Sequence, residues 1–212
     1  MPTITDAKTR SSTVLIYPPE PLAIDFGELL KPMDDDEFFH FCQRQKDLRI
    51  EMDQFGEIAI MSPTGSETGR INFRLTANFA NWASMDGTGE GFDSSTGFIL
   101  PNGAKRSPDL AWIKRDKWLA IPLEQRKKFA PICPDFVVEL RSESDSLARL
   151  QAKMAEYIEN GAELGWLIDV GEKRVYVYRP NIPVQVLDNP VEIRGEPLLK
   201  GFVLRMDAIF LV

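Results

Sequence analysis

Apolar positions along the chain recur with two periods, one helical and one of two residues, and the switches between them outline the elements. Residues 34 to 44 predict a short helix carrying Phe38, Phe39 and Phe41. The run "LRIEMDQFGEIAIMSP" alternates and predicts a β-hairpin with Phe55 and Gly56 near its turn. In the following "TGSETGRINFRLTANFANWASM", Ile71, Leu75, Asn78, Phe79 and Trp82 fall at helical spacing, and Thr64 with Glu67 fits a capping box opening that helix. Next come three short β-rich segments, "GEGFDSSTGFILP", "RSPDLAWIK" and "PDFVVELR", separated by a glycine-rich loop at 86 to 91 and a basic helical stretch at 115 to 129. Then the period lengthens again. Leu147, Leu150, Met154, Tyr157 and Ile158 form one stripe of an amphipathic helix that starts at Ser144 or Asp145 and stops at "ENGA", where Gly161 suits a left-handed cap. "LGWLIDV" and "KRVYVYRP" predict two antiparallel strands joined by a turn at Gly171, Glu172 and Lys173. Helix, three strands, helix, two strands is the order of an α/β (α+β) fold with a mixed central β-sheet flanked by helices.

Composition fixes the scale of this fold. At 212 residues and 43% hydrophobic content the chain can bury a real core, and we read one domain, residues 21–212, preceded by a flexible N-terminal arm at 1–20. Cys42 and Cys133 have no metal-knuckle or redox spacing, which suits a reduced, cytoplasmic protein. The first fifteen residues lack the apolar core of a signal peptide, and no stretch predicts a membrane span. His40 is the single histidine, and a lone histidine among aromatics is more often packing or surface than catalysis, which removes histidine-based nucleophilic mechanisms.

Charge adds a contrast. The net charge is −7, against the usual balance of a nucleic-acid-binding protein. Residues 101 to 130 reverse it: Lys105, Arg106, Lys114, Arg115, Lys117, Arg126, Lys127 and Lys128 face only Asp109, Asp116 and Glu124, a local +5. Such a segment is either a solvated lysine-rich surface or a footing for phosphates.

The acids within the β-rich segments raise the chemical question. Asp109 opens the apolar run of "SPDLAWIK", and in "PDFVVELR" a period of two puts Asp135, Val137, Glu139 and Arg141 on one face and Phe136, Val138 and Leu140 on the other. An ionised carboxylate in a core strand needs a partner, since burying it alone costs several kcal/mol or more. If the two strands are neighbours, Asp109 and Glu139 converge, and two hard oxygen ligands completed by water suit Mg²⁺ or Mn²⁺. The plain alternative is an ion pair holding strand ends together, with Arg141 as the cation. Lys153 lies at the edge of the apolar stripe of the last helix, where it either reaches the carboxylates or snorkels to solvent.

The run "PDFVVELRSESDSLARLQAKMAEYIENGAELGWLID", with "MSPTGSETGRIN" and "GFILPNGAKRSPD" upstream, resembles the Uma-type restriction endonucleases, a group inside the PD-(D/E)XK nuclease-like superfamily. The resemblance covers about residues 48 to 180. It implies a restriction-endonuclease-like fold and a Mg²⁺- or Mn²⁺-dependent endonuclease acting on nucleic acid, with DNA the expected substrate. On this resemblance Asp109 matches the first acid and Glu139 the second. The third position, classically lysine, is Arg141, which can stabilise charge but cannot serve as a base near neutral pH. Lys153 looks like the displaced lysine. Asp135 and Glu67 are possible auxiliary groups, and Lys105, Arg106, Lys127 and Lys128 the candidate nucleic-acid contacts. Endonucleases of this fold often act as pairs, so a homodimer is part of the expectation. A reading from another class, a nuclease fold that binds or regulates without cleaving, draws on the acidic net charge and on Arg141.

Overall fold

The computed structural model describes residues 33–45, 48–61, 63–143 and 145–210. The expected arm at 1–20 lies outside the described residues. Helix α1 (Asp35–Arg44) starts on a reciprocal cap: the Glu37 amide donates to Asp34 Oδ1 at 2.8 Å and the Asp34 amide to Glu37 Oε2 at 2.9 Å. Two otherwise unpaired amides of the first turn are satisfied this way. Strands β1 (Arg49–Met52) and β2 (Ile58–Met61) pair antiparallel. Their turn closes on Asp53, whose Oδ1 accepts from the Phe55 and Glu57 amides, while Gly56 takes φ +86°, a conformation cheap for glycine.

Helix α2 (Ser66–Asp86) begins without the predicted box. Its N-cap is Gly65, with no side-chain cap bond, so Glu67 is the second helical residue and cannot reach back as the third would; its carboxylate turns to Arg70 instead. Strands β3 (Gly89–Asp93), β4 (Phe98–Ile99), β5 (Lys105–Arg106) and β6 (Leu110–Lys114) follow, then two short helices, α3 (Arg115–Ala120) and α4 (Leu123–Arg126), and strand β7 (Phe136–Arg141). Helix α5 (Leu147–Glu159) starts two residues later than Asp145, because that side chain accepts from the Ser142 amide at 2.9 Å and hydroxyl at 2.6 Å and closes the preceding turn. Strands β8 (Leu164–Asp169) and β9 (Arg174–Tyr178) complete the predicted order. Beyond it the chain forms β10 (Gln185–Asp188), β11 (Glu192–Arg194) and β12 (Val203–Arg205), three strands too short and too exposed to leave an alternating signal.

Six strands make the main sheet in the order β10-β9-β8-β7-β6-β3. Only β7 and β8 run parallel, joined through α5; the other neighbours are antiparallel. A second sheet, β2-β1-β5-β4, brings the hairpin against the segment before β6. The alternation of β7 divides the core. Phe136, Val138 and Leu140 pack with Ile71, Leu75 and Phe79 of α2, while Val137 packs with Met154 and Tyr157 of α5. Each such buried side chain contributes about 1.5–3 kcal/mol. Gly165 on β8 admits the helix closely: a Cβ there would meet Met154 Cε at 2.5 Å. The α5 face is thereby pressed onto β7 and β8, and Lys153, next to Met154, comes with it.

Candidate active site

The pairing of β6 with β7 sets the first two groups. Leu110 lies opposite Val138, so Asp109, one residue earlier, and Glu139, one residue later, meet at the same level. The Leu140 amide donates to Asp109 Oδ2 at 2.8 Å, fixing that carboxylate on the edge of β7. Helix α5 then lays two residues of one face over Glu139. Lys153 Nζ is 2.7 Å from Glu139 Oε1, and the Tyr157 hydroxyl donates to the same oxygen at 3.2 Å. The lysine side chain is only 12% exposed. Of the two sequence-based readings of Lys153, inward reach and solvent snorkelling, the geometry selects the first.

Strand β1 supplies two charged residues that the sequence reading does not single out. Arg49 Nη1 donates to Asp109 Oδ1 at 3.2 Å, and Nη2 donates to the Ser107 carbonyl. Two residues on, Glu51 is 3% exposed; its Oε1 accepts from Lys153 Nζ and from the Ser107 amide, both at 2.9 Å. Arg106 joins the far side, with Nη1 3.4 Å from Glu51 Oε2 and Nε 2.6 Å from Glu156 Oε2. In "LRIEM" such alternation reads as a solvent face of a hairpin. Only the second sheet, folding back on Ser107, turns it inward.

Burial and charge act against each other here. Desolvation pushes the Glu139 carboxyl up to about 7 despite the pull of Lys153, and the nearby carboxylates of Asp109 and Glu51 add to the rise. For Lys153 burial favours loss of the proton, but Glu139 and Glu51 outweigh it and the ammonium is held above its ordinary value. Burial likewise works against the Glu51 carboxylate, yet Lys153 and the Ser107 amide bring it below the usual range. The Arg49 guanidinium is raised on balance, with Asp109, Glu139 and Glu51 overcoming its burial. Near neutral pH, Lys153 is therefore a charged donor rather than a base, and burial makes Glu139 easier to protonate than an ordinary carboxyl.

Residues 35–207 match the family model Uma2, described as "Putative restriction endonuclease". The chain belongs to the Uma2 family. Its fold is matched by a crystal structure described as a "putative nuclease belonging to DUF820" from Anabaena variabilis, with a TM-score of 0.67 and 22% identity over 84% of this chain and 98% of that one. The architecture is thus restriction-endonuclease-like, as the motifs of the sequence imply. No curated protein sequence matches the chain.

In this Uma2 chain the other candidate residues lie apart from Asp109 and Glu139. Arg141 Nη1 is 2.6 Å from Asp169 Oδ2 and its Nε donates to the Asp145 carbonyl, so it ties the ends of β7 and β8 together. Asp135 is fully buried at the opposite end of β7, about 13 Å along the strand from Glu139. There it accepts from the Lys114 amide at 2.8 Å and from Lys117 Nζ. Glu67 stays exposed on α2 with Arg70. Of the candidate nucleic-acid contacts, Lys105 is buried with Asp35 at 2.9 Å and Arg106 belongs to the Glu51 cluster. Lys127 and Lys128 lie outside, paired with Glu124 and Asp36. Among the described residues no three His, Cys, Asp or Glu side chains are arranged to hold a metal ion, and no helix is long and apolar enough to cross a membrane.

Proposed function

We propose that this chain is a divalent-metal-dependent endonuclease that hydrolyses phosphodiester bonds of nucleic acid, with duplex DNA as substrate. The observation that carries the reading is the meeting of Asp109, Glu139 and Lys153 from two adjacent strands and the helix above them, with Lys153 Nζ 2.7 Å from a buried carboxylate. Two hard carboxylates, with water and a substrate phosphate completing the shell, are a donor set that suits Mg²⁺ or Mn²⁺ without a third protein acid. When bound, such an ion supplies Lewis-acid charge and an acidified water. Asp109 is held for that role by the Leu140 amide. Lys153, protonated and screened from solvent, orients the water or stabilises the charge that builds on the phosphoryl oxygens. Arg141 stays with Asp169 and takes no part. A symmetric pair of such chains would address both strands of a duplex.

One observation favours a second reading, a binding module without cleavage. Asp109 and Glu139 already have cations of the protein as partners, Arg49 and Lys153, with no need of a metal ion. The deciding experiment incubates the protein with supercoiled and linear duplex DNA, single-stranded DNA and RNA in Mg²⁺ or Mn²⁺. Cleavage by the parent that disappears in Glu139→Gln is the expected result. Absence of cleavage on all substrates, together with no Mn²⁺ binding, sinks the nuclease reading in favour of the module.

A further inference from the structure

Lys153 has two anions, and only one of them belongs to the proposed metal pair. Its Nζ lies 2.7 Å from Glu139 Oε1 and 2.9 Å from Glu51 Oε1. Glu139 Oε1 also accepts from Tyr157, so the ammonium and the hydroxyl converge on one oxygen of a carboxylate that would hold a divalent ion. Charge donated to an ion is charge withdrawn from Lys153. A buried ammonium left with a weakened counterion loses the contact that fixes its place over the site.

Glu51 is built to prevent that. It comes from the second sheet, is 3% exposed, and its orientation is set by groups other than Lys153. The Ser107 amide donates to Oε1 at 2.9 Å, and Arg106, itself anchored on Glu156, reaches Oε2. Ser107 lies two residues before Asp109, and Arg49 of the same strand as Glu51 holds both the Ser107 carbonyl and the Asp109 carboxylate. Strand β1 thus refers Lys153 and Asp109 to one short segment, Ser107 to Asp109.

We infer that Glu51 is a positioning residue: it fixes the Lys153 ammonium over the site while Glu139 is engaged with a divalent ion, and it is not itself a metal ligand. The inference rests on the nuclease reading for its catalytic consequence, but not for its geometric one. Glu51→Gln keeps an oxygen for the Ser107 amide and removes the charge that Lys153 needs, with the amide NH2 turned to the Arg106 side. Three quantities are measured on the full chain: Mn²⁺ affinity by calorimetry, acetylation of Lys153 by acetic anhydride with and without saturating Mn²⁺, and the kinetics of DNA cleavage. The expected result in Glu51→Gln is unchanged Mn²⁺ affinity, Lys153 acetylation that rises several-fold over the parent when Mn²⁺ is present, and a kcat lower by about 10–100-fold at unchanged KM. Glu51→Asp, which keeps the charge on a shorter arm, is expected to restore part of the kcat. A loss of Mn²⁺ affinity with Lys153 still protected would make Glu51 a ligand and overturn the inference, as would no change in Lys153 acetylation. A parent that binds Mn²⁺ without cleaving counts against the nuclease reading alone, because the acetylation and Mn²⁺ readouts still decide the role of Glu51. Should Glu51→Gln fail to fold by circular dichroism, Glu51→Asp is read by the same acetylation, and parent-level protection of Lys153 in Mn²⁺ then counts against the inference.

Discussion

The two ends of β7 each bury an acid on the same face of the strand, and they hold it in different ways. Asp135 at the start is met by a backbone amide, that of Lys114, and by Lys117, whose side chain is 44% exposed. Its own carbonyl accepts from the Glu163 and Leu164 amides, so the residue stitches together β6, β7 and the entry to β8. Glu139 near the other end is met by side chains, Lys153 and Tyr157, and the lysine is shared with a third acid. Burial of a carboxylate is common to both. What separates them is the backbone partner: Asp135 has the Lys114 amide, which cannot leave, beside its lysine, whereas Glu139 is met by the side chains of Lys153 and Tyr157, which an ion can displace.

The sharpest way to break this contrast is to neutralise one acid at each end of the paired strands. Asp109→Asn is expected to weaken Mn²⁺ binding and cleavage most, by at least about 100-fold. Asp135→Asn is expected to leave both at parent level and to lower stability by about 1–3 kcal/mol, the penalty for a buried polar group whose partners are left incomplete. Calorimetric Mn²⁺ titrations and urea unfolding of the two variants check the pair. Equal loss of Mn²⁺ binding at both ends would remove the distinction.

Next in size is the pair of lysines. Lys153→Met leaves Glu51 and Glu139 facing each other across a buried gap, and breaking such a pair costs about 3–5 kcal/mol. The cost should shrink as pH falls, because Glu139, already raised toward neutrality by burial, then accepts a proton. Lys117→Met is expected to cost clearly less, since its ammonium is half in solvent and Asp135 keeps the Lys114 amide. Urea unfolding at pH 8 and pH 5.5 distinguishes them, and equal costs at both pH values would mean that Lys153 acts through packing.

Much of the fold is legible in the chain because its signals are local. The stripe from Leu147 to Ile158, the alternation of "PDFVVELR" and the glycine at 161 each point to an element that the structure contains. Asp109 and Glu139 are likewise legible, since one opens an apolar strand and the other interrupts one. Arg49 and Glu51 are not, because their inward turn depends on Met52 pairing with Lys105, more than fifty residues away. The same distance effect hides the fate of the basic segment. Lys105 and Arg106 count as surface charge in the sequence, but Asp35, Glu51 and Glu156 draw them inside.

A smaller effect probes Glu139 through pH alone. Its folded-state pKa lies near 7, above the ordinary 4.5, so the native state binds more protons than the unfolded chain between those values. Its contribution to stability is complete below about 4.5 and is lost as pH rises through about 7. Subtracting the pH–stability curve of Glu139→Gln from that of the parent should give a difference that declines across this window. A flat difference would place the Glu139 carboxylate in the ordinary range and return it to the structural class of Asp135.

The smallest expected effect concerns the surface that remains positive once the inward-facing residues are set aside. Lys127 is exposed and Lys128 partly so, and they engage Glu124 and Asp36, neither of which belongs to the site. Ion pairs at such a surface are weak and readily exchanged, so phosphates can take over the lysines with little loss. Acidic groups farther away than a Debye length, about 8 Å at physiological salt, are largely screened. Lys127→Glu with Lys128→Glu is therefore expected to lower duplex DNA affinity modestly at low salt and to reduce the slope of log affinity against log salt by about 2, near 0.9 for each phosphate that is no longer neutralised. Mn²⁺ affinity should stay at the parent value, because neither lysine touches Asp109, Glu139 or Lys153. The measurement is a titration of a labelled duplex at two salt concentrations in Ca²⁺, chosen to support binding without cleavage. A parent-like slope in the double variant would show that the footing for nucleic acid lies elsewhere on the molecule, and a loss of Mn²⁺ binding would show that the two regions are coupled after all.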